Sequence, residues 1–256
     1  MKKTLLITSL LAISTYSFAD IKDCISAAAN HDKEKELEYC SPYLKSKEYP
    51  EATAILAVAT SDNKKSLDFA LWYTNYYENE NTLNSNNAKA TYTNTLNMIG
   101  NMYYSGESGK VDKTKGLEYI TKAANLGNTL AQKQLGGFYG SEGDIPKENV
   151  GTAYKWFKIA DINRSEETGS SSYINTLNDF FKSKPYCVAM GEQLVAQAYI
   201  DGSAGLSKDT SKAKKYLKDA IALYKDNEPT KENLQYCPEG ADKLNLESAK
   251  KQLDSL

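Results

Sequence analysis

The sequence predicts an all-α protein, an αα-hairpin solenoid with additional helices at both ends. A pattern of glycines, aromatic residues and alanines occurs three times, and Ile99 and Leu135 occupy equivalent places in its first two copies, 36 residues apart. A period of this size is typical of arrays of helix pairs, because one pair is too small to bury its own apolar face. These segments do not alternate between apolar and polar residues over the length of a strand, so no strands are expected.

The chain begins with the pattern of a secretory signal peptide, which we assign to residues 1–19. Lys2 and Lys3 precede a short apolar run, Leu5–Ile13, and Ser17–Ala19 provides small residues for signal peptidase. The run is shorter than the about 20 residues of a spanning helix, so no membrane anchor is expected. Lysine outnumbers arginine and asparagine is common, as in many bacterial proteins. We therefore expect export to the periplasm, with secretion as the alternative.

Residues 20–88 form a predicted helical region ahead of the repeats. Asp20–Tyr39 has the pattern of one helix or of a hairpin of two helices. Pro50 fits the first position of a helix that stays apolar as far as Ala59, and Ser66–Tyr77 would be its partner. We interpret these two helices as a degenerate repeat.

The repeat region is predicted at residues 89–225, with units at about 95–127, 131–161 and 191–221 and a helical insertion at 162–186. The first helix of each unit has a small residue where a neighbouring helix must come close, at Gly100, Gly136 and Ala196. It should end at a glycine, which accepts a left-handed backbone easily, at Gly106, Gly143 and Gly202. The second helix carries an aromatic residue and, four residues later, an alanine: Tyr119 and Ala123, Trp156 and Ala160, Tyr216 and Ala220. Residues 226–256 are predicted to end in an amphipathic capping helix.

These motifs resemble the Sel-one-like repeat (SLR), a relative of the tetratricopeptide repeat (TPR). The pattern is Leu-Gly-x-x-Tyr-x-x-Gly, a loop, and then Ala-x-x-Trp-aromatic-x-Lys-Ala-Ala, which 95–127 and 131–161 follow best. The chain departs from it at Gly116, where alanine is usual, and at Ala196, where glycine is usual. The resemblance implies a right-handed solenoid whose concave surface binds other proteins. It implies no catalytic residue.

The four cysteines are predicted to form two disulfides, because all of them lie in the chain that would be exported to an oxidising compartment. Four cysteines allow three connectivities. We favour Cys24–Cys40 and Cys187–Cys237, because one pair lies in each terminal region. A zinc site is the competing interpretation, but the sequence contains no Cys-x-x-Cys pair.

The composition indicates binding rather than catalysis. The net charge is −2, with Arg164 as the only arginine and His31 as the only histidine. A protein that binds nucleic acid normally has a basic surface, which this composition does not favour, so no nucleic-acid partner is expected. We predict no catalytic residue, no cofactor and no metal site. A β-lactamase-like enzyme is the weaker alternative: Ser-x-x-Lys occurs at Ser61, Ser211 and Ser248, but the chain has no Lys-Thr-Gly.

The resemblance therefore favours a periplasmic protein-binding module. Within that class we favour an immunity-type protein, because similar proteins neutralise toxins delivered by type VI secretion, including phospholipases. An envelope signalling or structural adaptor is the alternative.

The partner surface is predicted on the first helix of each unit. Ile99 and Tyr103 should face the core, which places Asn97 and Asn101 on a neighbouring stripe. The equivalent positions in the other units complete a predicted polar strip of partner-binding residues: Lys133, Gly137, Gln193 and Gln197. Replacing Asn97, Asn101, Lys133 and Gln193 together with glutamate should leave the fold intact and weaken binding of the partner at least tenfold, which is about 1.4 kcal/mol.

Overall fold

The computed structural model describes residues 20–80, 85–107, 109–141, 147–165 and 172–256. Within these ranges the chain forms α-helices and one short 3-10 helix, and no strand. The predicted all-α solenoid is confirmed. The predicted signal peptide and Gly143 lie outside the described residues.

The helices follow the predicted order. The N-terminal region contains α1 (Ile21–Ala29), α2 (Lys33–Cys40), a 3-10 helix (Ser41–Tyr43), α3 (Pro50–Ala59) and α4 (Asn63–Glu80). The repeat region contains α5 (Asn86–Ser105), α6 (Lys113–Asn125), α7 (Thr129–Tyr139), α8 (Val150–Ser165), α9 (Tyr173–Thr176), α10 (Asn178–Lys182), α11 (Pro185–Asp201) and α12 (Thr210–Asp226). The C-terminal region contains α13 (Lys231–Leu234) and α14 (Leu246–Asp254).

Polar side chains begin these helices and glycines end two of them. The side chains of Asp112, Asn128 and Asp209 accept hydrogen bonds from the backbone amides three residues ahead, which satisfies free donors in the first turns of α6, α7 and α12. Gly106 and Gly202 end α5 and α11 in the left-handed conformation, with φ of 80° and 66°. The predicted ends at Gly106 and Gly202 are confirmed, but the third is wrong: α7 ends at Tyr139, ahead of Gly143, and its cap Gly140 has a φ of −88°, so no left-handed residue ends this helix.

The two helices of a repeat approach so closely that no side chain fits between them at the crossing. A Cβ atom on Gly100 would lie 2.6 Å from Cγ1 of Ile120 and 2.9 Å from the carbonyl oxygen of Gly116. A Cβ atom on Gly116 would lie 2.7 Å from the carbonyl oxygen of Gly100. Position 116 therefore has glycine in place of the usual alanine because the backbones of α5 and α6 are in direct contact here and leave no room for a methyl group.

The insertion between the second and third helix pairs packs onto α8. The carboxylate of Asp161 accepts hydrogen bonds from the backbone amides of Tyr173 (2.7 Å) and Ile174 (3.0 Å), which holds the start of α9. Phe181 of α10 is buried, and its ring contacts those of Tyr154 and Phe157 edge to face. The short helices thus extend the core of the second helix pair and return the chain to α11, which packs on α8.

The structure brings the cysteines together in the favoured pairs. Cys24 of α1 bonds to Cys40 of α2, and Cys187 of α11 bonds to Cys237 after α13. All four are buried. One bridge closes the α1–α2 hairpin, and the other ties the C-terminal region to the third helix pair.

The helix crossing yields a stability prediction with an internal control. Gly100→Ala should lower the free energy of unfolding by about 1–3 kcal/mol, because α5 and α6 must move apart to admit the methyl group. Gly137→Ala, on exposed helix surface with no atom near its Cβ position, should raise it by up to about 1 kcal/mol, since alanine favours helix more than glycine. Urea unfolding followed by circular dichroism measures both. Equal effects at the two positions would contradict the crossing.

The disulfides yield a second prediction. On the chain-entropy model, replacing Cys187 and Cys237 together with alanine should lower the free energy of unfolding by about 4 kcal/mol. Replacing Cys24 and Cys40 should lower it by about 3 kcal/mol, because this pair closes the shorter loop. Unfolding in urea measures the difference. Peptide mapping without reductant checks the connectivity, and four free thiols or other cross-links would contradict it.

Candidate functional site

The structure corrects the predicted partner strip at two of its six positions. Asn97 and Gln193 are only 4% and 3% exposed, so neither side chain can be presented to a partner in this conformation. Lys133 and Gly137 are exposed, while Asn101 and Gln197 are half-buried. Glutamate at Asn97 or Gln193 would therefore enter the interior, and our expectation that the fold would tolerate it there is wrong.

Asn97 is buried because α7 lies across its face of α5. The face is marked by Asn94, Asn97 and Asn101, which follow one another at helical spacing. Asn128, which caps α7, donates to Oδ1 of Asn94 at 2.7 Å, and Gln134 of α7 donates to Oδ1 of Asn101 at 2.8 Å. Asn97 lies between these two bridges, and its own Oδ1 has no hydrogen-bond partner among the described residues.

Gln193 is buried because α14 covers this part of α11. Its Nε2 donates to Oγ of Ser248 (3.0 Å) and to Oε1 of Gln252 (3.2 Å), and its Oε1 accepts from the hydroxyl of Tyr224 (3.0 Å). Gln252 also donates to Gln197. The polar strip of the third unit is thus an internal contact with the capping helix.

The open surface lies beside the predicted strip, along a groove that we call the α5 groove. It consists of two adjoining cavities. The first, of about 330 Å³, is lined by Ala28, His31, Glu36, Ala54, Ile55, Val58, Thr91, Asn94, Thr95 and Met98. The second, of about 430 Å³, is lined by Asn86, Lys89, Ala90, Thr93, Asn94, Leu126, Gly127, Asn128, Thr129, Asn163 and Gly205. Asn94 lines both, so the two cavities adjoin at this residue.

The first cavity is the apolar half of the α5 groove. Ile55 and Val58 of α3 face Met98 of α5 across it, and Val58 is 60% exposed. Together with the half-buried Ile55 and Met98, Val58 gives this cavity a contiguous apolar wall, the kind of surface that binding partners cover.

The second cavity is the polar half, and its amide groups are held in place by a hydrogen-bond network. Asn163 donates to Oε1 of Gln132 (3.1 Å) and to the carbonyl oxygen of Ala204 (2.9 Å). Gln132 donates to the carbonyl oxygens of Ala124 and Ala204, each at 2.9 Å. Asn86, Lys89 and Asn94 are exposed beside this network. Such amides can donate to and accept from the backbone of a bound chain.

Two glutamates have little exposed surface among the described residues, and their carboxylates differ in their surroundings. Burial raises the pKa of Glu192, and the hydroxyl of Tyr154, which donates to its Oε1, opposes that rise. Glu36 is 6% exposed and lines the apolar half of the α5 groove. Within the part of the chain that the structure describes, its carboxylate makes no hydrogen bond and no ion pair.

The sequence contained signals for the groove that our prediction did not use. Asparagine recurs at positions 94, 128 and 163, spaced by 34 and 35 residues, close to the repeat period. Glu36 lies four residues before Cys40, so both share one face of α2. Because the disulfide holds that face of α2 toward the interior, Glu36 lies on the buried side of the helix as well.

Comparison with known proteins identifies the repeats. The Sel1 repeat family is matched three times, at residues 95–128, 129–160 and 188–224. The protein contains three Sel1 repeats. The predicted resemblance is confirmed. The third unit starts three residues before and ends three residues after the bounds that we predicted. Sel1 repeats generally mediate protein–protein interaction.

Two solved structures are similar to the chain. One is a protective antigen of uropathogenic Escherichia coli with an SLR fold, at 15% identity and a TM-score of 0.41, with 80% of this chain covered. The chain spans 49% of that protein's length. The other is a Sel1 repeat protein from Oxalobacter formigenes, at 14% identity and a TM-score of 0.45, with 91% of this chain and 95% of that one covered. A search of curated proteins finds no match.

The α5 groove runs from the N-terminal helices across the first two Sel1 repeats to Gly205 in the third. The apolar half joins α2 and α3 to α5, the first helix of the first repeat. The polar half joins α5 to the start of α7, the first helix of the second repeat. On the third repeat, α14 bonds to Gln197 as α7 bonds to Asn101, so α14 takes the place of a following first helix.

The corrected burial yields a prediction at two equivalent repeat positions. Gln193→Glu should lower the free energy of unfolding by about 2–4 kcal/mol at neutral pH, because the buried charge replaces an amide donor to Ser248 and Gln252. Lys133→Glu, at an exposed position, should change it by less than about 0.5 kcal/mol. Thermal and urea unfolding measure both, and a tolerated Gln193→Glu would show that α14 does not cover this site.

Proposed function

We propose that the protein is a periplasmic protein-binding module that neutralises a partner, as an immunity protein to a type VI secreted toxin such as a phospholipase. The observation that carries this proposal is the α5 groove, in which an apolar and an amide-bearing cavity adjoin at Asn94 and are lined by the N-terminal helices and the Sel1 repeats. A long groove of this kind suits a polypeptide segment better than a small substrate.

The proposed compartment is supported by the cysteines. Both pairs form disulfides, which persist in oxidising compartments and are rare in the reducing cytosol. No helix among the described residues is long and apolar enough to cross a membrane. With the signal peptide predicted at residues 1–19, these features support export.

Competition between sister cells tests the neutralising role. Cells that lack the gene are grown in contact with their parent, and they should be outcompeted because the parent delivers a toxin that they no longer neutralise. A plasmid encoding the full chain should restore survival. A plasmid encoding residues 20–256 without the signal peptide should not, if neutralisation takes place in the periplasm.

A parent with inactivated type VI secretion is the control, since the disadvantage should then disappear. If the deletion strain survives equally well against both parents, the neutralising role is wrong and the envelope adaptor is favoured. If the copy without residues 1–19 protects as well as the full chain, the proposed compartment is wrong.

A further inference from the structure

We propose that Glu192 is a pH-sensitive switch in the junction between the second and third repeats. When protonated, its carboxyl group is stable in the interior, where α11 packs against α8 and α12. When the proton is lost to solvent, the charged group loosens the crossing of α8 and α11. Glu192 lies outside the α5 groove, so the switch is independent of the proposed neutralising role.

One oxygen of the Glu192 carboxyl group has a partner and the other has none. Oε1 accepts a hydrogen bond from the hydroxyl of Tyr154 on α8. Oε2 is buried and has no hydrogen-bond partner among the described residues, and the residue as a whole is 8% exposed. A buried oxygen without a donor costs more free energy when it carries charge than when it is neutral. This environment therefore favours the protonated form.

The second repeat has an uncharged side chain at the same place. Gln132 and Glu192 are equivalent, because each lies four residues before the small residue of its first helix. Gln132 is also buried, and both ends of its amide are hydrogen-bonded: Nε2 donates to two backbone carbonyl groups, and Oε1 accepts from Asn163. An ionised carboxylate has no donor, whereas a protonated carboxyl group has one donor and can still accept. The protonated form of Glu192 is thus the closer match to glutamine.

The ionisable groups that act on Glu192 come from two other helices: Tyr154 and Lys158 of α8, and Lys215, Tyr216 and Asp219 of α12. The two lysines favour the charged carboxylate and Asp219 opposes it, but burial is the largest influence and raises the pKa of Glu192. The folded protein therefore keeps the proton to a higher pH than the unfolded chain does. Stability from this group is present at low pH and is lost as the pH rises through the folded pKa.

The helices cross closely beside Glu192. A Cβ atom on the preceding residue, Gly191, would lie 2.7 Å from the ring of Tyr154 and 2.9 Å from the carbonyl oxygen of Gly151. An ionised Glu192 has to turn away from Tyr154 to reach water. Because the interior is close-packed, that movement requires α8 and α11 to part. Loss of the proton is thereby coupled to the contact between the two repeats.

Carboxyl ¹³C NMR of the mature chain, labelled in the side-chain carboxyl groups of glutamate, measures the switch directly. The Glu192 resonance is assigned by through-bond correlation to its own backbone amide. Its titration midpoint should lie above pH 4.5, the ordinary pKa of a glutamate carboxyl group. Tyr154→Phe removes a donor that favours the charged form, so it should move the midpoint further up. A wild-type midpoint at or below pH 4.5 overturns the proposal.

Unfolding in urea at a series of pH values measures the consequence for folding. From pH 4.5 upward, the folding equilibrium constant of the wild-type protein should fall relative to that of Glu192→Gln, by up to tenfold for each pH unit until the NMR midpoint is passed. The matched control is Glu118→Gln, at an exposed position on α6, which should keep the pH dependence of the wild-type protein. If the wild-type protein and Glu192→Gln respond to pH in the same way, the switch is wrong.

Hydrogen exchange separates a local switch from a uniform loss of stability. After correction for the intrinsic effect of pH on exchange, the backbone amides flanking Gly151 and Gly191 should lose protection as the pH rises, and in Glu192→Gln they should not. The amides flanking Gly100 and Gly116 serve as the reference, because α5 and α6 cross equally closely without a buried carboxylate. An equal loss of protection at both crossings overturns the assignment of the switch to α8 and α11.

Discussion

The rest of the structure depends on the close crossing of the two helices within a repeat. At Gly100 and Gly116, α5 and α6 meet with no room for a Cβ atom on either glycine. The same device joins the second repeat to α11, where a Cβ atom on Gly191 would lie 2.7 Å from the ring of Tyr154. Because the interior of a protein is close-packed, these crossings fix the angle of each helix pair. Small residues therefore set how closely α5 approaches α6 and α8 approaches α11.

Amide side chains also bridge the first helices of successive units. Gln134 reaches back from α7 to Asn101 on α5, and Gln252 reaches back from α14 to Gln197 on α11. The same glutamine contact thus occurs twice, first between two repeats and then between the last repeat and the capping helix. Solenoids of this kind need such a terminal element, because each unit buries its face only against a neighbour. On the third repeat the cap occupies the stripe that our prediction gave to a partner.

The groove owes its chemistry to the meeting of two different parts of the chain. The repeats supply the amides, fixed by caps and bridges such as Asn128 to Asn94. The N-terminal hairpin, closed by Cys24–Cys40, supplies Glu36 and brings it against α3 and α5.

The sequence by itself determined the helical class, the period and the glycine ends of α5 and α11, because these depend on local backbone preference and on the spacing of residues along one chain. It favoured one of three disulfide connectivities, and the tertiary structure brought those cysteines together. Only the tertiary structure decided which polar residues are exposed. Asn97 and Gln193 carry the same kind of side chain as Asn94, yet α7 covers the first and α14 covers the second. Burial on a helix surface is decided by what packs across it. That neighbour comes from a distant part of the sequence, and no periodicity within the helix itself specifies it.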